Sequence, residues 1–305
     1  MLTVSLPTAE MCAMFGPTPD GVELVPWSMS EKSPDGDRLH AVLVPNRFDM
    51  QAGHELLVAL PRLSFVQLTS AGYDDVLPLI PEGVTVSNGR GIHDDETAEL
   101  AVGLLLASLR GIDVAIKDMA DQQWRSVFRP SLADRKVLLV GFGSIGKAIA
   151  ARLEPFRVQL TAVARSARQD ENYPVHSFSD LDALLPEAEV VILTVPLTDE
   201  TRHLVDGSFI ARLPYGARII NVARGAVIDT EALVVALESQ RIFAALDVTD
   251  PEPLPAGHPL WSAPNLIVTP HVGGHATATE SRTLDLFRRQ VFALATGEPL
   301  ENVVS

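Results

Sequence analysis

Short runs of apolar residues recur along the chain, and stretches with a helical pattern of apolar positions lie between them. Few polar residues alternate with apolar ones inside these runs, which is typical of strands that are buried on both faces of a sheet. Strands that alternate with helices predict an α/β protein with parallel sheets. We predict strands over residues 2–6, 41–44, 65–68, 136–140, 158–163, 190–195, 217–222, 243–248 and 266–269.

Helical patterns are clearest between the later strands, as in SIGKAIAARLE (144–154) and TEALVVALES (230–239). The stretch DDETAELAVGLLLASLR (94–110) is apolar on almost every side after Glu99, so we expect it to be buried and to link two lobes. A last helix over residues 276–297 is expected to fold back onto the first lobe. The pattern therefore predicts two α/β lobes, the first of which contains both ends of the chain.

The composition is that of a large folded protein, and it limits the classes of partner that the protein is expected to bind. Of the 305 residues, 47% are hydrophobic, enough to fill the cores of two mid-sized domains. The 39 acidic residues outnumber the 24 basic ones, and the formal net charge of −15 disfavours nucleic acid and anionic membranes as partners. We expect neither a signal peptide nor a membrane span, and the single cysteine, Cys12, excludes an intrachain disulfide. Together these features predict a cytoplasmic protein.

The stretch VLLVGFGSIGKAIA (137–150) has the order strand, glycine-rich turn, helix. In a dinucleotide site the first glycine permits the tight turn, the second lets the backbone approach a diphosphate, and the third lets the helix pack closely. The diphosphate then lies at the positive end of the helix. The alternative is a merely tight turn between a strand and a helix. The residues predicted for this cofactor cradle are Gly141, Gly143, Ser144, Ile145 and Gly146.

The same stretch also satisfies G-x-x-x-x-G-K, the phosphate loop of NTPases. In that loop a serine or threonine follows the lysine and ligates magnesium. Here Ala148 follows Lys147, and a methyl group cannot coordinate a metal ion. We therefore exclude the interpretation of this stretch as an NTPase phosphate loop.

Arginine stands where a dinucleotide site most often has a carboxylate. An NAD site usually places Asp or Glu about 20 residues on, as an acceptor for the ribose 2′-hydroxyl. Here the nineteenth residue after Gly146 is Arg165, followed by Ser166 and Arg168. Two charge-assisted contacts of roughly 1.5–3 kcal/mol each to a 2′-phosphate would give a preference on the order of 100-fold. We predict NADP(H) in preference to NAD(H); a solvated loop is the alternative.

Three functional groups follow three of the later strands. Arg224, Glu252 and His271 each lie just beyond a predicted strand, where ligands bind in parallel sheets. Singly, each has an ordinary explanation as a loop or turn residue. Together, after a dinucleotide cradle, they form a set with a proton donor, a residue that orients it and an anion binder. No metal-ligand spacing is found among the eight histidines.

Nearly the whole chain resembles the D-isomer-specific 2-hydroxyacid dehydrogenases, which include glyoxylate, hydroxypyruvate and phosphoglycerate dehydrogenases. Several linked motifs in the right order carry this resemblance. They are QLTSAGYDDV (67–76), VSNGRGIHDDETAEL (86–100), VGFGSIGKAIAARL (140–153), VPLTDETRHLV (195–205), INVARGAVIDTEAL (220–233), ALDVTDPEPLP (245–255) and TPHVGG (269–274).

The resemblance implies a role for each site residue. His271 would be the general acid that protonates the carbonyl oxygen, and Glu252 would orient it and favour its protonated form. Arg224 would bind the substrate carboxylate and polarise the keto oxygen. The backbone amides of Ala71 and Gly72 would hold the carboxylate from the other lobe. The residues that would line the cofactor are Val195, Pro196, Thr201, Val222, Ala223 and Asp247, the last facing the nicotinamide carboxamide.

We therefore predict two Rossmann-like/flavodoxin-like lobes with parallel sheets. A dinucleotide-binding lobe, 96–271, is inserted into a discontinuous substrate lobe, 1–95 plus 272–305. The loop 44–49 is expected to add Arg47 or Phe48 to the substrate pocket. The chain ends soon after the last helix, which leaves no room for the regulatory domain of many phosphoglycerate dehydrogenases.

The leading hypothesis is a reductase that converts a small 2-keto acid, glyoxylate or hydroxypyruvate, to the D-2-hydroxy acid with NADPH. One alternative is an NAD(P)-sensing, corepressor-like binding protein on the same fold, since a fold does not determine function. Another is an NAD-linked, phosphoglycerate-type dehydrogenase. The resemblance also implies a homodimer, with residues 121–126 as an arm; Trp124 in that segment is equally compatible with an ordinary core position.

Overall fold

A computed structural model describes residues 1–46, 48–74, 76–170 and 172–305. The chain divides into two compact units. Unit 1 contains Met1–His93 and Thr277–Ser305, and unit 2 contains Asp94–Ala276. The units divide after residues 93 and 276, whereas the predicted lobe boundaries fall after 95 and 271.

Unit 1 is built on a parallel sheet that the first part of the chain supplies. Its strands have the order β2-β1-β3-β4-β5, which is the flavodoxin-like order. Two helices, α1 (Ala9–Met14) and α2 (Met50–Val58), connect strands of this sheet. The strands are β1 (Leu2–Leu6), β2 (Val22–Pro26), β3 (Leu39–Leu43), β4 (Phe65–Gln67) and β5 (Thr85–Ser87).

Unit 2 contains a larger sheet in the order β13-β12-β11-β10-β6-β7-β9-β8. Its pairings are parallel except that of β8 with β9, which is antiparallel and departs from the predicted parallel pattern. The strand order reverses between β6 and β10, which makes their carboxyl ends a topological switch point. The strands are β6 (Lys136–Val140), β7 (Gln159–Ala164), β8 (Arg168–Gln169), β9 (Pro174–Ser177), β10 (Val190–Leu193), β11 (Ala217–Asn221), β12 (Ile242–Leu246) and β13 (Leu266–Val268).

Helices cover both faces of this sheet, which explains why its central strands β6 and β10 are apolar almost throughout. Leu139 of β6 belongs to a core cluster with residues of α3 and α5, whereas its neighbour Leu138 belongs to a cluster with α6, α7 and α8. Successive side chains of a strand point to opposite faces, so both faces need apolar residues. The helices of unit 2 are α3 (Asp94–Arg110), α4 (Ile112–Ala120), α5 (Ser144–Leu153), α6 (Leu181–Leu184), α7 (Gly207–Arg212) and α8 (Thr230–Glu238).

The last helix, α9 (Thr279–Thr296), completes the core of unit 1. Its Phe287 and Val291 are buried in one cluster with Val4 of β1 and Phe15 beyond α1. After α9 the chain pairs with the edge of the sheet, where Val303 forms a bridge with Ser87. Within the described parts of the chain, no helix is both long and apolar enough to cross a bilayer.

The segment after α4 is exposed. The side chain of Trp124 is 98% exposed, which excludes the alternative that this residue belongs to the core of its own unit. Phe128 is fully exposed in the same segment, and Ile116 and Met119 are exposed on α4. Unit 2 therefore presents an apolar face formed by α4 and residues 121–130.

Candidate active site

The three predicted catalytic residues lie at one edge of the unit 2 sheet. Arg224 follows β11, Glu252 lies in the loop after β12, and His271 follows β13. These strands are adjacent and parallel, so their carboxyl ends meet at the same edge. The order of the strands thus brings together residues that are up to 47 positions apart (224 to 271) in the chain.

His271 and Glu252 form a hydrogen-bonded pair. The distance between His271 Nδ1 and Glu252 Oε1 is 2.5 Å, and the side chains are 48% and 40% exposed. A carboxylate accepts only, so we assign the donor to the Nδ1–H of the imidazole. This hydrogen bond fixes the ring orientation and leaves Nε2 as the atom that exchanges a proton with a ligand.

The pair shifts the pKa of both partners. The hydrogen bond to Glu252 raises the pKa of His271, and this effect exceeds the opposing effect of burial. Burial raises the pKa of Glu252, but the hydrogen bond and charge of His271, the amide of Thr249 and the charge of Arg224 together outweigh it, so the net pKa is lowered. Both shifts favour an imidazolium beside a carboxylate. The charge of Arg224 lowers both pKa values, which places its guanidinium near the pair.

A tight loop after β11 positions Arg224. The buried side chain of Asn221 accepts a hydrogen bond from the amide of Ala223 (3.0 Å) and donates one to the carbonyl of Arg224 (2.9 Å). A Cβ at Gly225 would lie 2.0 Å from the carbonyl oxygen of Thr249, so only glycine lets the loops after β11 and β12 lie against each other. Sequence reasoning missed Asn221 and Gly225, although both lie in the motif INVARGAVIDTEAL.

Asp247 anchors the segment that carries His271. Its carboxylate is buried and accepts hydrogen bonds from Thr269 Oγ1 (2.6 Å) and from the amides of Val272 (2.9 Å) and Gly273 (2.8 Å). Its carbonyl accepts a further hydrogen bond from the amide of His271 (2.8 Å). The predicted contact of Asp247 with the nicotinamide carboxamide stays a prediction, and the structure adds this anchoring role beside it.

The glycine-rich turn has the geometry that a dinucleotide cradle requires. Gly141 has φ +107°, and a Cβ there would lie 2.6 Å from the carbonyl carbon of Thr194. A Cβ at Gly146, in the first turn of α5, would lie 2.3 Å from the carbonyl oxygen of Gly141. A Cβ at Gly143 would meet no described atom within 4 Å, so that face of the turn is open to a ligand. The turn lies at the switch point between β6 and β10 and contains Ser144 and Ile145 at the start of α5.

The remaining cofactor-lining candidates follow β10 and β11 at the same edge. Thr201 is buried, and its hydroxyl donates to the carbonyl of Pro196 (2.7 Å) and accepts from the amide of Thr198 (2.8 Å). This hydroxyl therefore holds the loop after β10 in shape. The other candidates are Val195, Val222 and Ala223, all of them buried.

The basic residues predicted to bind a 2′-phosphate lie beyond β7. Arg165, Ser166 and Arg168 are exposed. Arg168 donates from Nη2 to the carbonyl of Phe142 (2.7 Å), so its guanidinium is tied to the glycine-rich turn. Lys147 of α5, which the sequence suggested only as part of an NTPase loop, forms an ion pair with Asp170 (2.6 Å).

Ala71 and Gly72 belong to unit 1, in the loop after β4. The carbonyl of Ala71 accepts a hydrogen bond from Asn88 Nδ2 (2.7 Å), and that of Gly72 accepts one from Ser70 Oγ (2.5 Å). Phe48, predicted for the substrate pocket, packs against α2, where a Cβ at Gly53 would meet its ring. Arg47 lies outside the described residues, so its predicted role stays a prediction.

Comparison with known proteins matches the motifs and the fold. The profile of "D-isomer specific 2-hydroxyacid dehydrogenase, NAD binding domain" matches residues 102–273. The chain is 37% identical over 255 residues to a glyoxylate reductase of Thermofilum pendens, covering 80% of this chain and 75% of that protein. It is 33% identical over 249 residues to the human glyoxylate reductase/hydroxypyruvate reductase, covering 78% and 76%. The crystal structure of a D-isomer specific 2-hydroxyacid dehydrogenase from Xanthobacter autotrophicus in complex with NADPH and MES superposes with a TM-score of 0.83 at 27% identity, covering 100% and 98%.

Proposed function

The chain belongs to the D-isomer specific 2-hydroxyacid dehydrogenase family and is an oxidoreductase, and we propose that it reduces a small 2-keto acid to the D-2-hydroxy acid with NADPH. Glyoxylate and hydroxypyruvate are the first candidate substrates, as the names of the similar reductases suggest. The observation that carries the proposal is the hydrogen bond between His271 and Glu252 at the edge where Arg224 also lies.

In this proposal His271 is the catalytic acid. Its Nε2–H donates a proton to the keto oxygen as that oxygen gains negative charge, and Nε2 takes the proton back in the reverse reaction. Glu252 keeps the imidazole oriented through Nδ1 and stabilises its charged form, as the raised pKa of His271 indicates. The anchored segment around Asp247 holds the backbone of His271 in place.

Arg224 is the anion binder. A planar guanidinium with several donors suits a carboxylate, and its charge stabilises negative charge on the adjacent keto oxygen. In unit 1, the amides of Ala71 and Gly72 are assigned to the same carboxylate, because backbone N–H groups bind anions without adding a charged side chain. This gives the substrate-binding set Ala71, Gly72 and Arg224.

The residues of the cradle fit a dinucleotide. Gly141 and Gly146 are required by the packing of the turn, and the open face at Gly143 and the start of α5 suit a diphosphate. When bound, reduced nicotinamide supplies the hydride that adds to the keto carbon. Arg165 and Arg168 beyond β7 favour the 2′-phosphate of NADP(H), and the NADPH complex of the Xanthobacter protein supports this preference.

We place the reaction in the cytoplasm, since the single cysteine of the chain, Cys12, is free and suits a reducing compartment. We also assign a homodimer, in which the apolar face of α4 and residues 121–130 of each copy is covered by the other. Changing Trp124 and Phe128 together to serine is expected to convert the dimer to a monomer in size-exclusion chromatography with light scattering. A wild-type protein that elutes as a monomer at micromolar concentration would contradict the dimer.

Initial rates on glyoxylate, hydroxypyruvate, pyruvate and phenylpyruvate, each with NADPH and with NADH, test the function. Faster turnover with NADPH is the expected result, and the best substrate identifies the pocket. Equal or faster turnover with NADH would contradict the assignment of Arg165 and Arg168 to a 2′-phosphate. It would leave the assignment of the chain to the family unchanged. Cofactor binding without turnover of any acid would favour the sensing protein instead.

A further inference from the structure

The orientation of the Ala71–Gly72 peptide is set by Asn88. The carbonyl of Ala71 accepts a hydrogen bond from Asn88 Nδ2 at 2.7 Å. In a planar trans peptide the C=O and the N–H point in opposite directions, so the amide of Gly72 points away from Asn88. Among the described residues of unit 1, no acceptor is bonded to the amide of Ala71 or Gly72. The amide of Ala71 belongs to the preceding peptide, whose carbonyl at Ser70 accepts a hydrogen bond from the amide of Gly89, so this N–H points away from Gly89. The loop thus presents two donors whose directions are set by contacts with Asn88 and Gly89.

Asn88 is itself held against the loop by backbone contacts. The amide of Gly89 donates to the carbonyl of Ser70 (2.7 Å), and the amide of Asn88 donates to the carbonyl of Asn302 (3.0 Å). A Cβ at Gly89 would lie 2.1 Å from the carbonyl oxygen of Thr69, so glycine allows the two segments to approach this closely. The side chain of Asn88 is buried. The side-chain amide of Asn88 is therefore enclosed between the loop after β4 and the end of the chain.

Two buried glutamines form the base of this arrangement. Gln67, at the end of β4, and Gln290, in α9, are both fully buried. The two N–H donors of Gln67 Nε2 are shared among three carbonyls, those of Leu68 (2.8 Å), Asn88 (3.0 Å) and Ser87 (3.2 Å). Gln67 Oε1 accepts from Gln290 Nε2 (3.0 Å), which also donates to the carbonyl of Glu301 (2.8 Å). The amide of Glu301 donates in turn to Gln290 Oε1 (3.0 Å).

This network connects α9 and the last residues of the chain to the loop after β4. Both amide groups have partners for their donors and their acceptors, so the network has one low-energy arrangement. An apolar residue at either glutamine would leave buried carbonyls unpaired, which a protein avoids by shifting the backbone. Such a shift would reach Asn88 and Gly89 and rotate the two peptides that carry the amides of Ala71 and Gly72.

We propose that Asn88, Gln67 and Gln290 are positioning residues for the substrate carboxylate, acting through the amides of Ala71 and Gly72. The inference rests on the proposed function, because it takes the carboxylate site at Ala71 and Gly72 as given. The substrate affinity of unit 1 is then set by the C-terminal helix and tail, which do not touch the substrate.

The test uses the full-length chain and the variants Asn88→Ala, Asn88→Asp and Gln290→Met. KM and kcat are measured with the best keto acid, and calorimetry gives the Kd of oxamate, a 2-keto acid analogue that is not reduced, and of NADPH. Gln51→Met, on the exposed side of α2, is the matched control. We expect KM and the oxamate Kd to rise roughly tenfold or more in Asn88→Ala, the loss that follows when one charge-assisted hydrogen bond is misaligned.

Asn88→Asp is expected to raise both quantities further, because its carboxylate cannot donate to the carbonyl of Ala71 and repels it. The NADPH Kd and kcat are expected to change much less in every variant. A purely structural role would lower the melting temperature and the active fraction and leave KM and the oxamate Kd unchanged; this outcome overturns the inference.

Turnover by the wild type tests the proposed function separately from the comparison of KM and oxamate Kd between the variants and the wild type. If the wild type binds oxamate without turnover, the oxamate Kd of the variants still decides on the positioning residues. If it binds no oxamate at all, the carboxylate site and the inference fall together.

Discussion

The edge of the unit 2 sheet and the loop after β4 in unit 1 present different kinds of functional group. The first presents side chains, Arg224, Glu252 and His271, each beyond a different strand. The second presents backbone amides, at Gly72 and Ala71, whose directions are set by contacts with Asn88 and Gly89 respectively. A charged or titratable side chain is visible in a sequence, whereas a backbone donor is present at every residue except proline. Only the peptide orientation distinguishes the donors that bind a ligand.

The largest expected effect is the loss of the proton donor. We expect His271→Ala to lower kcat by about 10²- to 10⁴-fold, the usual contribution of general acid–base catalysis. The Kd of NADPH should stay close to the wild-type value. Steady-state kinetics and cofactor titration measure both, with His176→Gln in β9 as the matched control. A kcat for His271→Ala close to that of the wild type would show that this histidine is not the general acid.

The next effect concerns backbone geometry on the side-chain edge. A Cβ at Gly225 would lie 2.0 Å from the carbonyl oxygen of Thr249, so Gly225→Ala must displace the loop that carries Arg224. A displacement of about 1 Å costs on the order of 100-fold in rate, and we expect kcat/KM to fall by about that factor. Gly207→Ala at the start of α7 is the control, since its Cβ would meet only Ala232, at 3.9 Å. Equal kinetics in the two variants would show that the contact between the loops is unimportant.

The arginines beyond β7 allow a direct comparison of two exposed side chains, of which Arg168 is bonded to the glycine-rich turn. We expect Arg165→Ala to weaken NADPH binding by about 10- to 100-fold, through loss of one charge-assisted contact, and to leave NADH binding unchanged. Arg168→Ala should weaken both cofactors, because Arg168 is also bonded to the glycine-rich turn at Phe142. Fluorescence titration with both cofactors gives the four constants, and the exposed Arg212→Ala is the control. The same loss for NADH as for NADPH in Arg165→Ala would refute the 2′-phosphate site.

The smallest effect is a shift in pH dependence. The hydrogen bond to Glu252 raises the pKa of His271, so the protonated acid persists to higher pH and reduction slows only as pH rises through that raised value. In Glu252→Gln the pKa falls towards its ordinary value, and the decline of kcat/KM should begin at lower pH. At neutral pH the loss should be roughly tenfold. Profiles of kcat/KM against pH, with Glu231→Gln on α8 as control, measure the shift. An unchanged alkaline limb would mean that Glu252 does not tune the histidine.

The sequence alone predicted the strands whose two faces are both covered, such as β6 and β10, because burial on both sides makes them continuously apolar. It did not predict β2, β5, β8 or β9. β8 has only two residues, both polar and exposed, so it shows no apolar run, and its pairing depends on tertiary neighbours. β2 has a single buried residue, Val25.

The candidate site shows the same division. Glycines and charged residues at strand ends were found from the sequence, since their chemistry limits the roles they can have. The pairing of Gln67 with Gln290 was not found, because it joins positions 223 residues apart and each glutamine alone has no distinguishing feature. Asp247 was predicted as a cofactor contact only, since its bonds to the segment of His271 depend on how two strand ends meet.

Unit 1 takes its core from both ends of the chain, and this has a consequence during synthesis. Phe287 and Val291 of α9 pack with Val4 and Phe15, so the first residues made lack their partners until the last helix is translated. Unit 2, with 183 residues (94 to 276), is made in between. At about 5–20 residues per second, a ribosome needs on the order of 10–40 s for that stretch. During this time the nascent N-terminal segment lacks the helix that covers its apolar residues.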